Sequence, residues 1–214
     1  MALSPADLRK ALGGTLPGHA AFADLGGYPR PSVEAALALT PPPRESAVLI
    51  LIHPEGGHDH TMLMRRPEYQ GMHSGQIGFP GGKRELEDVD LHATALREFR
   101  EETGADTAGF QIVGELTRIH IPPSHMVVTP VVAWAEALGP LRPDPREVAQ
   151  LLDVPLADLM RDDILRRKRF TMGMDGRQRE APYWDVQGQT VWGATAMMIG
   201  ELRLVLGHPL PPLK

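Results

Sequence analysis

The chain has 214 residues, 22 Lys plus Arg against 27 Asp plus Glu for a net charge of −5, and no cysteine. That length suits one α/β domain able to bury roughly 70% of its unfolded surface, and the missing cysteines exclude disulfides and thiolate metal sites, so the cytoplasm is the expected location. The acidic balance argues against nucleic acid as the main partner. No apolar run reaches the roughly 18–20 residues of a membrane span, and the N-terminus lacks the basic-then-apolar order of a signal peptide.

In chain order, Ser4, Pro5 and Asp7 read as the cap, first position and acidic first turn of a short helix to Leu12, and Ser32 caps a second helix reaching Leu39. Pro41-Pro42-Pro43 closes this helical leader (1–45), which precedes a main domain (46–206) and a short tail (207–214). The apolar run 47–52 is a buried strand with 61–65 as its hairpin partner. The turn between them contains His58 and His60, for which a polar loop tip outweighs a metal site.

Gly75, Gly78, Pro80, Gly81 and Gly82 mark a tight loop through which backbone can approach phosphate. It is no Walker A loop, which needs Gly at Ile77 and Ser or Thr at Arg84. A helix follows, capped by Asp88 or Asp90, buried by Ala95, Leu96 and Phe99 and stopped by Gly104. Its last turns set Glu98, Glu101 and Glu102 on one face, where like charges repel and the helix dipole disfavours them. Two broken local rules at one place point to a functional site, and hard oxygen donors call for Mg²⁺ or Mn²⁺. Arg97 reaches Glu101 at i,i+4 or a carboxylate of the preceding loop and would orient the acidic side chains.

Residues 110–121 and 126–135 read as strands divided by Pro122-Pro123-Ser124. Arg166-Arg167-Lys168-Arg169 is either a strand edge blunted by charge or a phosphate clamp. Residues 192–206 form a closing helix, with Met197 and Met198 in the core.

The stretch from Arg97 to Ala105 resembles the second half of the signature of the Nudix hydrolases, Arg-Glu-apolar-x-Glu-Glu-x-Gly-apolar. The first half departs: the family spacing would put a glycine at Lys83 and a glutamate at Val89, so the loop is one residue longer and Asp88 or Asp90 replaces that glutamate. The resemblance implies a single-domain α/β/α sandwich with a mixed sheet. It also implies metal ligands at Glu98 and Glu102, with Glu101 and the Gly82 carbonyl nearby, and a general base at Glu101 or Glu147.

The segment from His73 to Lys83 is similar to the extra motif of coenzyme A pyrophosphatases in this family, and Thr129-Pro130-Val131-Val132, Glu147-Val148 and 191–196 agree with it. Gln70-Gly71 stands where a Leu-Arg pair is expected, which leaves Arg65, Arg66, Lys83 and Arg84 as phosphate contacts beside the Gly81-Gly82 backbone. The function implied is metal-dependent cleavage of coenzyme A to 3′,5′-ADP and 4′-phosphopantetheine. ADP-ribose or another nucleoside diphosphate derivative is the alternative substrate, and a catalytically inactive ligand sensor is the reading from a different class. The oligomeric state, monomer or homodimer, stays open.

Overall fold

The computed structural model describes residues 3–21, 23–26, 30–70, 73–172 and 177–212. The leader supplies α1 (Pro5–Leu12), closed at its start by a reciprocal Ser4–Asp7 capping box, and α2 (Val33–Leu37), capped by Ser32 and two residues shorter than expected. The main chain then runs β1 (Arg44–Glu55), β2 (His58–Arg65), β3 (Ile77–Gly78), β4 (Gly81–Lys83), α3 (Leu91–Thr103), β5 (Gln111–Glu115), β6 (Ile119–Ile121) and β7 (Met126–Trp134). It ends in β8 (Gln150–Pro155), α4 (Leu156–Leu159), β9 (Leu165–Met172), β10 (Arg177–Val186), β11 (Gln189–Trp192) and α5 (Gly193–Val205).

β1 is the centre of a mixed sheet. It runs parallel to β7 from Arg44 opposite Met126 to Ile52 opposite Trp134. On its other edge it pairs antiparallel first with β4, at Ser46 to Val48, and then with β2, at Ile52 to Glu55. β8 and β3 add to β2, while β5 and β6 add to β7. β9, β10 and β11 form a separate antiparallel sheet.

The unbroken apolar run in β1 follows from burial on both faces. Ala47, Leu49 and Leu51 pack with Met62, Ala95 and Phe99 under α3. Ile50 and Ile52 pack with Leu63, Met197, Met198 and Leu202 under α5. Helix, sheet and helix therefore form the expected sandwich, each fully buried side chain contributing about 1.5–3 kcal/mol. Leu8, Leu12 and Leu25 of the leader lie in the second of these cores. No helix among the described residues is long and apolar enough to cross a membrane.

The expected single strand over 110–121 is two. Glu201, fully buried on α5, accepts from the Thr117 N–H at 2.8 Å and from its hydroxyl at 2.5 Å, which draws the chain out of the ladder between β5 and β6. The expected loop over 75–83 contains β3 and β4, because Gly81 to Lys83 pair with β1.

Candidate active site

α3 carries the acidic patch, and its ends are fixed locally. Asp90 is the cap, accepting from the Ala93 N–H at 2.8 Å, and Gly104 ends the helix in the left-handed region at φ 71, donating to the Arg100 carbonyl at 2.8 Å. β4 lies directly beside α3. A Cβ on Gly81 would strike the Ala47 carbonyl and Val48 backbone, and one on Gly82 would strike the Glu98 carboxylate. At Gly81 only glycine lets the strand pass so close to the backbone of β1, while at Gly82 a side chain would displace the Glu98 carboxylate.

Arg97 organises the patch with all five of its N–H groups. Its Nε and Nη2 donate to the two oxygens of Asp88 at 3.0 and 2.9 Å, Nη2 also to the Lys83 carbonyl at 2.9 Å, and Nη1 to Glu98 and Glu101, each at 3.0 Å. Asp88 further accepts from the Glu85 N–H and the Thr94 hydroxyl, both at 2.9 Å. The Arg97 hydrogen bonds hold the Asp88 carboxyl well below the usual carboxylate range. Of the two aspartates that sequence left open, Asp88 is thus the partner of Arg97 and Asp90 the helix cap.

Glu102 is 1% exposed and accepts from the Gly81 N–H at 2.7 Å. Arg66 Nη2 lies 3.4 Å from its other oxygen and donates to the Gly81 carbonyl at 3.0 Å, so Arg66, Glu102 and Gly81 close a ring of contacts. Burial pushes the Glu102 carboxyl up to about 8 against the pull of Arg66 and the Gly81 N–H, with Glu98 and Glu147 adding to the rise. Burial likewise raises Glu98 despite Arg97 beside it, and Glu101 and Glu147 push the same way. Glu147 comes from the segment after β7. There the Arg142 and Asp144 N–H groups donate to the Thr103 and Glu102 carbonyls at 2.8 and 3.3 Å and dock the loop on the end of α3.

Glu98, Glu101, Glu102 and Glu147 are therefore brought together, with Glu101 the most exposed of the set carried by α3. Among the described residues no three His, Asp or Glu side chains are closed into a ready cage for a metal. The fit lies in the chemistry of the donors: Glu98 and Glu102 are buried beside other carboxylates, which disfavours their ionised forms, a cost that a divalent cation relieves.

Other expected residues are placed elsewhere. Arg66, just past the end of β2, reaches Glu102, whereas the Nε of Arg65, the last residue of β2, is buried without a hydrogen bond. Lys83 has an exposed side chain, and the site uses its carbonyl. Arg84 pairs with Glu45 at 3.2 Å and donates to the Asp88 and Val89 carbonyls at 3.3 Å, bracing the lengthened loop. Of the histidines, His58 is exposed at the start of β2, and His60 faces Asp153 at 3.1 Å.

The NUDIX domain profile matches residues 43–172. The chain belongs to the Nudix family. It is 31% identical over 175 residues to an uncharacterized Nudix hydrolase, NudL, of Photorhabdus laumondii, over 78% of this chain and 90% of that one. It is 32% identical over 161 residues to NudL of Yersinia pestis, over 74% and 78% of the two chains. Among solved structures it resembles the NUDIX domain of Shewanella oneidensis NrtR complexed with ADP ribose, with a TM-score of 0.52 and 15% identity over 77% of this chain and 88% of that one. The Nudix hydrolase RenU of M. smegmatis gives a TM-score of 0.50 at 19% identity, over 78% and 89%. These identities speak for the fold alone, while the domain match and the NudL relatives make this chain a Nudix hydrolase.

Proposed function

We propose that this Nudix hydrolase cleaves the pyrophosphate of coenzyme A, giving 3′,5′-ADP and 4′-phosphopantetheine, with Mg²⁺ or Mn²⁺ held by Glu98 and Glu102 and by Glu101 and the Gly82 carbonyl nearby. One observation carries the substrate: the segment whose sequence resembles coenzyme A pyrophosphatases builds the floor of the acidic site. His73 Nδ1 meets Gln76 Oε1 at 2.9 Å, the Gln76 carbonyl accepts from the Arg66 N–H at 3.0 Å, and the chain then lays Gly81 on Glu102 and Gly82 on Glu98.

The chain's own residues divide the work. A bound cation would neutralise diphosphate charge and lower the pKa of the water that attacks phosphorus. Asp88 fixes Arg97, and Arg97 sets the rotamers of Glu98 and Glu101 before substrate arrives. The Gly81–Gly82 strand has no side chain to fill the space above the carboxylates, so a diphosphate can come close. Arg66, about a third exposed beside Glu102, is the best-placed side chain to meet a phosphate oxygen. The proton of the attacking water goes to Glu101 or to Glu147.

The test is a steady-state panel of coenzyme A, dephospho-coenzyme A, ADP-ribose and nucleoside triphosphates compared by kcat/KM with Mg²⁺ or Mn²⁺. Preference for coenzyme A supports the reading. Preference for ADP-ribose, the ligand of the NrtR domain, keeps the metal chemistry and sinks the substrate. Tight binding without turnover would favour a sensor.

A further inference from the structure

The second sheet carries a face that neither core uses. Phe170 of β9 stacks on Trp192 of β11, centroids 4.5 Å apart and planes at 18°, and meets Tyr183 of β10 edge-on at 6.3 Å. Lys168 Nζ stands 5.1 Å from the centroids of both Phe170 and Tyr183 and donates to the Thr190 hydroxyl at 2.7 Å. Ala181, opposite Lys168 in the register, is fully buried on the same face. The reverse face of the sheet sends Trp184, Val186 and Val191 into the main core, whereas the three rings belong to no core cluster and are each half-buried.

Charge and position give this face a purpose. On a chain of net −5, it gathers Lys168 with Arg166, which pairs with Asp185 at 2.8 Å, and with Arg179, exposed and opposite Phe170. β11 packs on β3, and the Thr195 hydroxyl lies against Gly78, 3.5 Å from where a Cβ would stand. Gly78 is three residues before Gly81, and Thr195 three after Trp192, so a short path of backbone joins the rings to the acidic site.

We propose that this face is a shelf for the purine of the substrate, the Phe170–Trp192 pair stacking on the base while Lys168 and Arg179 take the phosphate on its ribose. A π-face accepts any base, and neighbouring cations recognise phosphate and draw a polyanion towards a site that is itself acidic. The inference rests on the coenzyme A reading for the identity of that phosphate, the 3′-phosphate.

The experiment is calorimetric titration of the full chain, in EDTA to silence the cation site, with adenosine 3′,5′-bisphosphate and with AMP. Phe170→Leu should weaken both ligands by roughly fivefold or more, Phe170→Tyr should restore them, and Lys168→Met should weaken the bisphosphate more than AMP. Unchanged binding by a folded Phe170→Leu, or no binding of either nucleotide by the wild type, overturns the shelf. The two readings separate in hydrolysis. If the wild type prefers ADP-ribose but Phe170→Leu still weakens AMP, the shelf stands and coenzyme A falls. If the wild type cleaves coenzyme A and Phe170→Leu leaves its KM unchanged, the shelf falls and coenzyme A stands.

Discussion

Asp88→Asn isolates the organising pair of the site, because it keeps the shape and removes the charge. Asp88 is 7% exposed and accepts four hydrogen bonds, two of them from Arg97 at 3.0 and 2.9 Å. Whichever way the asparagine amide turns, its NH₂ meets a donor. Breaking a buried pair from one side costs about 3–5 kcal/mol, and Arg97 keeps Glu98 and Glu101 as partners, so a loss of about 3 kcal/mol is expected. For a chain of this size that is about 6–12 °C in Tm. Asp90→Asn should cost under about 1 kcal/mol, since Asn caps a helix as well as Asp.

Urea denaturation of the metal-free protein at pH 7 measures both. The pH dependence has a definite sign: Asp88 is depressed when folded, so its contribution is complete above about pH 4, its unfolded value, and fades as pH falls towards the folded value. The gap between wild type and Asp88→Asn should therefore narrow in acid. An Asp88→Asn protein within about 1 kcal/mol of wild type at pH 7, or an Asp90→Asn protein that loses more, would refute the assignment of Asp88 to Arg97.

Gly82→Ala should cost little stability, since its Cβ meets only the movable end of Glu98, yet cut turnover by roughly tenfold or more; Gly81→Ala, which meets the backbone of Ala47 and Val48, should lose about 3 kcal/mol or fail to fold. Thermal melts of each check the contrast. Glu102 keeps its proton when folded up to about pH 8, so metal-free stability should fall between about pH 4.5 and 8 as the unfolded chain ionises first, and level off above. Melts in EDTA should show that slope, and Glu102→Gln should make it shallower and end it at lower pH, the smaller remainder coming from Glu98, which burial also raises. Leu8→Ala should destabilise by about 2–5 kcal/mol, because this leader side chain is 1% exposed in the main core; a neutral effect in urea denaturation would detach the leader from the fold.

What the sequence revealed was what is encoded locally. α3 could be read with its end at Gly104 and its start to within two residues, because apolar stripe, terminal glycine and candidate caps lie within one short stretch, and β1 because burial on two faces leaves an uninterrupted apolar run. The choice between Asp88 and Asp90 was not legible, since it depends on a loop folding back onto Arg97. β8, which pairs with β2 from far along the chain, and the three-stranded sheet announce themselves by pairing and not by pattern. The basic run 166–169 left a charged strand edge and a phosphate clamp both open, and two of its four cations are partnered, Arg166 by Asp185 and Arg167 by Glu180 at 3.7 Å. Its association with three aromatic rings needed the sheet. Arg65 and Arg66 were indistinguishable as a pair of cations, and the contact with Glu102 that singles out Arg66 is made across the fold.

If Glu98 and Glu102 hold a divalent cation, losing either carboxylate must cost the protein that ion. Mn²⁺ titration followed by electron paramagnetic resonance tests it most directly, on the wild type, Glu98→Gln and Glu102→Gln, each checked for a cooperative melt. The wild type should carry a Mn²⁺ site that weakens by roughly a hundredfold or more in either variant while the fold persists. Equal Mn²⁺ affinity in all three proteins would contradict it.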